Sequence, residues 1–164
     1  MSMVLVASST VGAGGAASIE FTGIPQDGTD LVLLVSGRVD SGADNLLIGF
    51  NGSTSSFSNR YLLGTGSSAV SGTFSGRIVG EVGISSATAN TFGNSSVYIP
   101  NYAGSANKTW SGDGVNENNA TAASQIIVAG TWANTAAITS IQLSVSSGSF
   151  VQHSTASLYK VTKA

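Results

Sequence analysis

Residues 138–145 read Ile138-Thr139-Ser140-Ile141-Gln142-Leu143-Ser144-Val145. Ile141, Leu143 and Val145 alternate with polar residues, so one face of an extended chain is apolar and the other is polar. This period of two predicts a β-strand that buries one face, and we assign it to Ile138–Val145.

The same kind of short run recurs along the whole chain. Each run is rich in β-branched, aliphatic or aromatic residues and is bounded by Gly, Asn, Asp or Ser, which favours several short strands and therefore a β-sandwich or barrel. No window predicts a helix, and Asn116–Gln125 favours a loop or a single turn because its Asn and Thr residues compete for backbone hydrogen bonds. The other predicted strands are Val4–Ser8, Ser18–Phe21, Leu31–Val39, Leu46–Phe50, Arg60–Leu63, Thr73–Val79, Ser96–Ile99, Lys108–Ser111, Ser124–Gly130 and Ala156–Val161.

The run Leu31–Val35 is apolar at every position, which predicts a central strand buried on both faces. Together with the other runs it predicts an all-β fold. We expect a two-sheet antiparallel sandwich of roughly eight to ten strands with jelly-roll-like topology. A single β-sandwich domain would then cover residues 18–164.

The first 17 residues form a separate segment in this interpretation. An apolar N-terminal arm, Met1–Ser9, precedes a glycine-rich hinge at Val11–Ala17. Such an arm could fold back as an edge strand of its own domain or add a strand to the sheet of a neighbouring copy. In the second case Val4, Leu5 and Val6 would contact a partner.

The charge content and the lengths of the apolar stretches argue against a nucleic-acid partner and a membrane partner. Charged residues make up 9% of the chain and the net charge is −2, whereas nucleic-acid binding needs a basic stripe. No apolar stretch approaches the roughly 20 residues that span a bilayer. We therefore expect neither a nucleic-acid nor a membrane partner. The six basic residues are scattered, at Arg38, Arg60, Arg77, Lys108, Lys160 and Lys163.

No pattern predicts catalysis or a cofactor. His153 is the single histidine and there is no cysteine, so a Ser–His–Asp triad lacks an evident orienting carboxylate and a zinc site lacks ligands. Gly64–Ala69 matches a dinucleotide fingerprint on paper, but β-type residues follow where a helix is required, which favours a loop. We expect no enzyme activity and no cofactor. The eight carboxylates are Glu20, Asp27, Asp30, Asp40, Asp44, Glu81, Asp113 and Glu117.

Most of these carboxylates lie in turn contexts, where Asp is favoured for its local hydrogen bonds. The segments Asp40–Asn45 and Asp113–Asn118 could wrap a hard cation, although neither has the EF-hand spacing. No metal ligand is predicted, and a structural calcium ion stays an open alternative.

Four aromatic residues admit two interpretations. Tyr98, Tyr102, Trp110 and Trp132 could line a sugar-binding surface, since apolar ring faces stack on pyranose rings. More often such residues are core anchors or subunit contacts. Of the four, Tyr102, Trp110 and Trp132 are our candidate partner or glycan contacts.

Several phrases of sequence resemble a known group of proteins. Residues 97–105 read Val97-Tyr98-Ile99-Pro100-Asn101-Tyr102-Ala103-Gly104-Ser105, and residues 118–122 read Asn118-Asn119-Ala120-Thr121-Ala122. Further phrases are Phe21–Pro25, Gly130–Ile141 and Ser154–Tyr159. From about Ser18 onward the chain resembles predicted structural proteins of tailed phages of marine and freshwater bacteria, including cyanobacterial phages.

The resemblance implies a virion protein with a jelly-roll-like sandwich, and it carries over no catalytic residue. We therefore expect a capsid decoration or cement protein on the virion surface. Its partners would be the major capsid protein or another virion protein and further copies of itself, as a homotrimer. The alternative is a tail-fibre or receptor-binding module that recognises host surface glycans. The short chain favours decoration, because a fibre subunit usually adds a shaft and an attachment domain.

Overall fold

A computed structural model describes residues 2–42, 44–117 and 123–162 of the chain. This part of the chain contains twelve β-strands and no helix. The strands form two antiparallel sheets, one of eight strands and one of four, which pack face to face. The predicted all-β antiparallel sandwich is therefore confirmed.

The larger sheet contains eight strands in the order β1-β12-β3-β8-β9-β10-β5-β6, and the smaller contains four in the order β2-β11-β4-β7. In chain order the strands are β1 (Ser2–Thr10), β2 (Ser18–Phe21), β3 (Asp30–Gly37), β4 (Asn45–Phe50), β5 (Phe57–Gly64), β6 (Ala69–Phe74), β7 (Ile78–Glu81), β8 (Gly93–Pro100), β9 (Lys108–Asn116), β10 (Ser124–Trp132), β11 (Ile141–Val145) and β12 (Thr155–Thr162).

The chain passes repeatedly from one sheet to the other. From β1 to β5 each strand lies in the opposite sheet from the one before it, and β6, β7 and β8 alternate again. This switching resembles jelly-roll connectivity, although the two sheets differ in size here. Of the ten pairs of neighbouring strands in the described chain, only β5–β6, β8–β9 and β9–β10 are consecutive in the chain, so most pairs join segments that are distant in sequence.

The core lies between the sheets and is built by alternation. In β9 and β10, buried and more exposed residues alternate with a period of two, as expected for strands with one covered face. Four aromatic rings fill the centre, with centroids 5.5–6.0 Å apart in the contacting pairs. They belong to Phe50, Phe57, Trp110 and Trp132.

The prediction that Leu31–Val35 is buried on both faces is wrong. Leu31, Leu33 and Val35 are buried, but Leu34 is 40% exposed and Val32 is only half-buried. The strand is central within its sheet, between β12 and β8. Nothing in the described chain covers the side of that sheet that faces away from the smaller sheet, so an apolar residue there stays at the surface.

The predicted strand Thr73–Val79 is two strands in two sheets. β6 ends at Phe74 in the larger sheet and β7 begins at Ile78 in the smaller one. Arg77 lies between them and donates its N–H groups toward the smaller sheet, to Ser144 Oγ at 3.4 Å. The predicted strand Ile138–Val145 is also shorter, since β11 begins at Ile141, although Ile138 is fully buried.

β1 pairs antiparallel with β12 of the same chain from Ser2 to Thr10. The register shifts between Leu5 and Ala7, which leaves Val6 as the extra residue of a β-bulge. In this structure the N-terminal segment is thus an edge strand of its own sheet. Exchange of this strand between copies stays a prediction.

β7 lies directly on the backbone of the larger sheet. A Cβ atom added at Gly112 would be 2.2 Å from the Val79 carbonyl oxygen, and one at Gly114 would be 2.6 Å from the Glu81 nitrogen. Only glycine permits two backbones to approach this closely. Ser95 Oγ completes the contact, because it donates to the Glu81 carbonyl at 2.8 Å and accepts from the Glu81 N–H at 3.1 Å.

Candidate interaction surface

The three aromatic residues predicted to contact a partner or glycan lie in the core. Tyr102, Trp110 and Trp132 are exposed by 0%, 2% and 1% of their surface. A buried ring offers no face for a sugar to stack on, so the expectation of an aromatic binding surface is wrong for these residues. They are core anchors, the other interpretation that the sequence left open.

Tyr102 fixes a loop rather than a ligand. Its hydroxyl donates to the Pro25 carbonyl and accepts from the Gly28 N–H at 3.2 Å. A buried tyrosine usually finds such a partner for its polar end. Tyr102 therefore ties the loop between β2 and β3 to the end of β8.

Trp110 and Trp132 belong to the aromatic centre. The Trp110 indole N–H donates to the Ile78 carbonyl at 3.3 Å, which joins β9 to β7. Trp132 stacks on Phe57, with centroids 5.9 Å apart and planes inclined by 16°. Both tryptophans stabilise the contact between the sheets.

The other predicted contact residues lie at one edge of the larger sheet. Val4 and Leu5 are 43% and 53% exposed, and Met3 beside them is 54% exposed. Val6, at the bulge, is half-buried and packs against the core. Val4 and Leu5 are thus accessible to a partner, and Val6 is less so.

The strand registers define a broad surface on the side of the larger sheet that faces away from the smaller one. Two rows of directly opposed residues cross all eight strands, and we call these two rows the outer face. The first row is Leu5, Tyr159, Val32, Tyr98, Ser111, Ala129, Arg60 and Thr73. The second row is Ser8, Ser157, Leu34, Ser96, Asp113, Ile127, Leu62 and Ser71.

The outer face is apolar for a surface and carries little charge. Among its sixteen positions only Arg60 and Asp113 are charged, and Asp113 accepts a hydrogen bond from Ser96 Oγ within the same row. Leu62 and Ile127, directly opposed on adjacent strands, are 60% and 55% exposed. Exposed apolar groups that cluster in this way mark interaction sites.

The hairpin of β5 and β6 extends the apolar surface beyond the sandwich. Every residue of β6 is exposed except the half-buried Gly72. Val70 and Phe74 are 46% and 48% exposed, on the opposite side of the hairpin from Leu62. The hairpin turn between Gly64 and Ala69 is closed by the Thr65 N–H, which donates to the Ser68 carbonyl at 3.0 Å. The loop expected in place of a dinucleotide fingerprint is confirmed.

A buried carboxylate lies where β7 meets the larger sheet. Glu81 is 3% exposed and accepts a hydrogen bond from Ser124 Oγ. Burial raises the pKa of Glu81 above its usual value, the hydrogen bond from Ser124 opposes that rise, and the charge of Asp44 adds to it. The group is enclosed by protein and serves the contact between the sheets.

Lys108 is a second buried ionisable group. Its ammonium donates to the carbonyls of Gly104 and Ala106, each at 2.6 Å, and to the Thr135 carbonyl at 3.4 Å. Burial lowers the pKa of Lys108. The three acceptors come from two loops, so this side chain holds the loops before β9 and after β10 together.

The polar residues considered for chemistry are dispersed. His153 lies in a turn with a φ of 73° rather than in a strand, and its backbone N–H donates to the Val11 carbonyl. Asp40 accepts from the Ser149 N–H at 2.8 Å. Within residues 2–42, 44–117 and 123–162, no three His, Asp or Glu side chains are grouped to hold a metal ion. Asn118, the last residue of the second candidate cation segment, lies outside the described residues.

No sequence pattern predicts the outer face. Leu34, Leu62 and Ile127 each lie in a predicted strand. Within β10 the side chain of Ile127 points to the other side of the strand from the buried Ile126 and Val128. That signal locates single exposed apolar residues. It does not tell which residues of other strands lie beside them, because this depends on strand order and register.

No helix in the described ranges is long and apolar enough to cross a membrane. The chain matches no protein-family model. It also has no match among curated proteins.

Proposed function

We propose that the chain is a structural subunit of a bacteriophage particle. In this proposal it is a decoration or cement protein, without enzymatic activity, that binds and stabilises the outer shell. It would lie on the virion surface, bind the major capsid protein or another virion protein, and form a homotrimer. The likeness of residues 97–105 and the related phrases to phage structural proteins supports the virion role.

The outer face is the observation that carries the proposal. It combines exposed Leu62, Ile127 and Leu34 with only two charged residues across eight strands. Burial of such a surface contributes about 25 cal/mol for each Å² of apolar area removed from water. An exposed, weakly charged sheet face of this kind suits attachment to another protein surface.

The rigidity of the sandwich also suits a shell protein. Trp110, Ser95 and Lys108 join the sheets and loops through buried hydrogen bonds. Buried hydrogen bonds of this kind help a packed core to hold one conformation. A decoration protein needs this property because it must present the same surface to many equivalent sites.

Receptor binding is the second candidate, and one residue favours it. The buried Tyr102, Trp110 and Trp132 offer nothing to a glycan, but Tyr98 is 43% exposed in the first row of the outer face. An exposed ring beside the half-buried Val32 and Tyr159 is a surface on which a sugar could stack. A tail-fibre or receptor-binding module would use this part of the sheet.

Immuno-electron microscopy of purified particles separates the two candidates. Antibodies raised against the folded protein would be applied to particles of the phage that encodes it. Labelling over the head is the result expected for a decoration protein. Labelling confined to the tail would favour receptor binding, and intact particles without label would contradict both.

A further inference from the structure

The larger sheet has two free edges that resemble each other. β1 forms one edge and β6 the other. Neither Ser2–Thr10 nor Ala69–Phe74 contains a charged residue or a proline. Proteins usually protect an edge strand with such residues, because its unpaired N–H and C=O groups can pair with another chain.

The two edges also have matching directions. Every pairing in the larger sheet is antiparallel, from β1 and β12 to β5 and β6. In a sheet of eight alternating strands, the first and last strands run in opposite directions. A second copy placed side by side in the same orientation would therefore bring its β1 antiparallel to β6.

Both edges carry exposed apolar side chains. Val4 is 43% exposed on β1, Val70 and Phe74 are nearly half exposed on β6, and the strand registers place all three on the side of the larger sheet that carries the core. If the strands paired, these side chains would become cross-strand neighbours, which stabilises a sheet. No like charges would oppose each other in the paired strands.

We propose that β6 of one copy pairs with β1 of a second copy, so that the larger sheet continues from subunit to subunit. The occupant is a second copy because each copy supplies a strand of matching direction, charge and polarity on its opposite edge. The contact is head-to-tail and closes into a ring when the rotation permits. The inference rests on the proposed homotrimer, in which three such contacts would close.

Two edge variants and their mixture test this arrangement. Leu5→Lys places a charge on β1 and Val70→Lys places one on β6, both at exposed positions. The mass of each protein would be measured by sedimentation or light scattering. The wild type is expected at three chains of 16.4 kDa, and each variant alone as a monomer.

The mixture is the decisive sample. Leu5→Lys keeps an intact β6 and Val70→Lys keeps an intact β1, so one good contact remains and a mass of two chains is expected. A dimer of either variant alone, without a mixed dimer, would overturn head-to-tail pairing in favour of identical edges meeting. A wild-type trimer unaffected by either variant would overturn the edge proposal and leave the homotrimer standing. A monomeric wild type would contradict both.

A second pair of edge variants and one control variant separate loss of edge pairing from loss of the fold. Ser8→Lys and Ser71→Lys repeat the test at polar exposed edge positions, where folding has little to lose. Ser111→Lys adds the same charge at an exposed position in the middle of the outer face. It is expected to leave the trimer intact, and a monomer there would overturn the edge proposal in favour of the sheet face. Far-ultraviolet circular dichroism checks the fold of every variant.

Discussion

The indole of Trp110 covers Gly130, which lies directly opposite it on the neighbouring strand. A Cβ atom at position 130 would be 2.0 Å from Cε2 and Cζ2 of that ring. The glycine therefore permits the tryptophan to lie flat over β10 and to reach the Ile78 carbonyl of the other sheet. The missing methyl group thus makes room for one of the four rings of the aromatic centre.

Gly130→Ala is expected to destabilise the fold by about 1–3 kcal/mol or more, since the methyl group must displace a packed ring. Urea unfolding followed by tryptophan fluorescence measures the loss. Gly64→Ala is the matched control, because a Cβ atom there meets nothing within 4 Å. Equal stability of the two variants would contradict the packing described for Trp110.

Ser95→Ala is expected to cost about 1–3 kcal/mol, because it leaves buried backbone groups of Glu81 without the serine hydroxyl. The free energy of unfolding is again the measurement. Ser111→Ala removes an exposed serine from the adjacent strand and should change stability by less than about 0.5 kcal/mol. A loss no larger at Ser95 than at Ser111 would show that β7 does not depend on this contact.

Glu81 makes stability depend on pH in an identifiable direction. Its pKa is raised in the folded protein, so the folded state binds more protons than the unfolded state above the usual value of 4.5. Its contribution to stability is therefore present at low pH and is lost as the pH rises through the folded pKa. Glu81→Gln, which stays neutral, should raise Tm at pH 7 relative to the wild type and change it little at pH 4.

Asp27 provides the contrast to Glu81. Its hydrogen bond and ion pair with Lys160, at 2.6 Å, lower its pKa. Its contribution is thus present above the usual pKa and is lost as the pH falls through the lowered value. Asp27→Asn should bring no gain at pH 7. A gain there as large as that of Glu81→Gln would mean that a general loss of negative charge, rather than burial of Glu81, causes the effect.

The outer face is expected to attach the protein to its particle. Ile127→Lys buries a charge in any interface formed there, so attachment should weaken by about tenfold or more, given 1.5–3 kcal/mol for a buried Ile side chain. Retention of purified variants on stripped particles measures this. Thr22→Lys, at an exposed position near the smaller sheet, should bind like the wild type. Unchanged retention of Ile127→Lys would place the attachment surface elsewhere.

Sequence pattern predicted the fold class and the positions of most strands. Gln142 separates the apolar Ile141 and Leu143 in the sequence. In β11 the two apolar residues are buried and Gln142 is half-buried. The pattern failed where one run crosses a change of sheet, as between Phe74 and Ile78. The break falls at Ser75-Gly76, a dipeptide that favours a turn, and the predicted strand wrongly ran through it.

The interaction surface could not be derived in the same way. Trp110 and Leu62 are both large apolar residues in predicted strands, yet one is buried and the other is 60% exposed. Which of them reaches the core depends on which side of the larger sheet the smaller sheet covers. That choice is a property of packing between distant segments, which a single sequence does not encode in any local pattern.

The central claim is that the chain is a decoration subunit of a phage shell. Quantitative mass spectrometry of purified particles, with the major shell protein as the internal standard, tests it most directly. A copy number near that of the shell protein, or a simple fraction of it, is the predicted result. A few to a few dozen copies per particle would contradict decoration and would favour a tail or unique-vertex protein that binds a receptor.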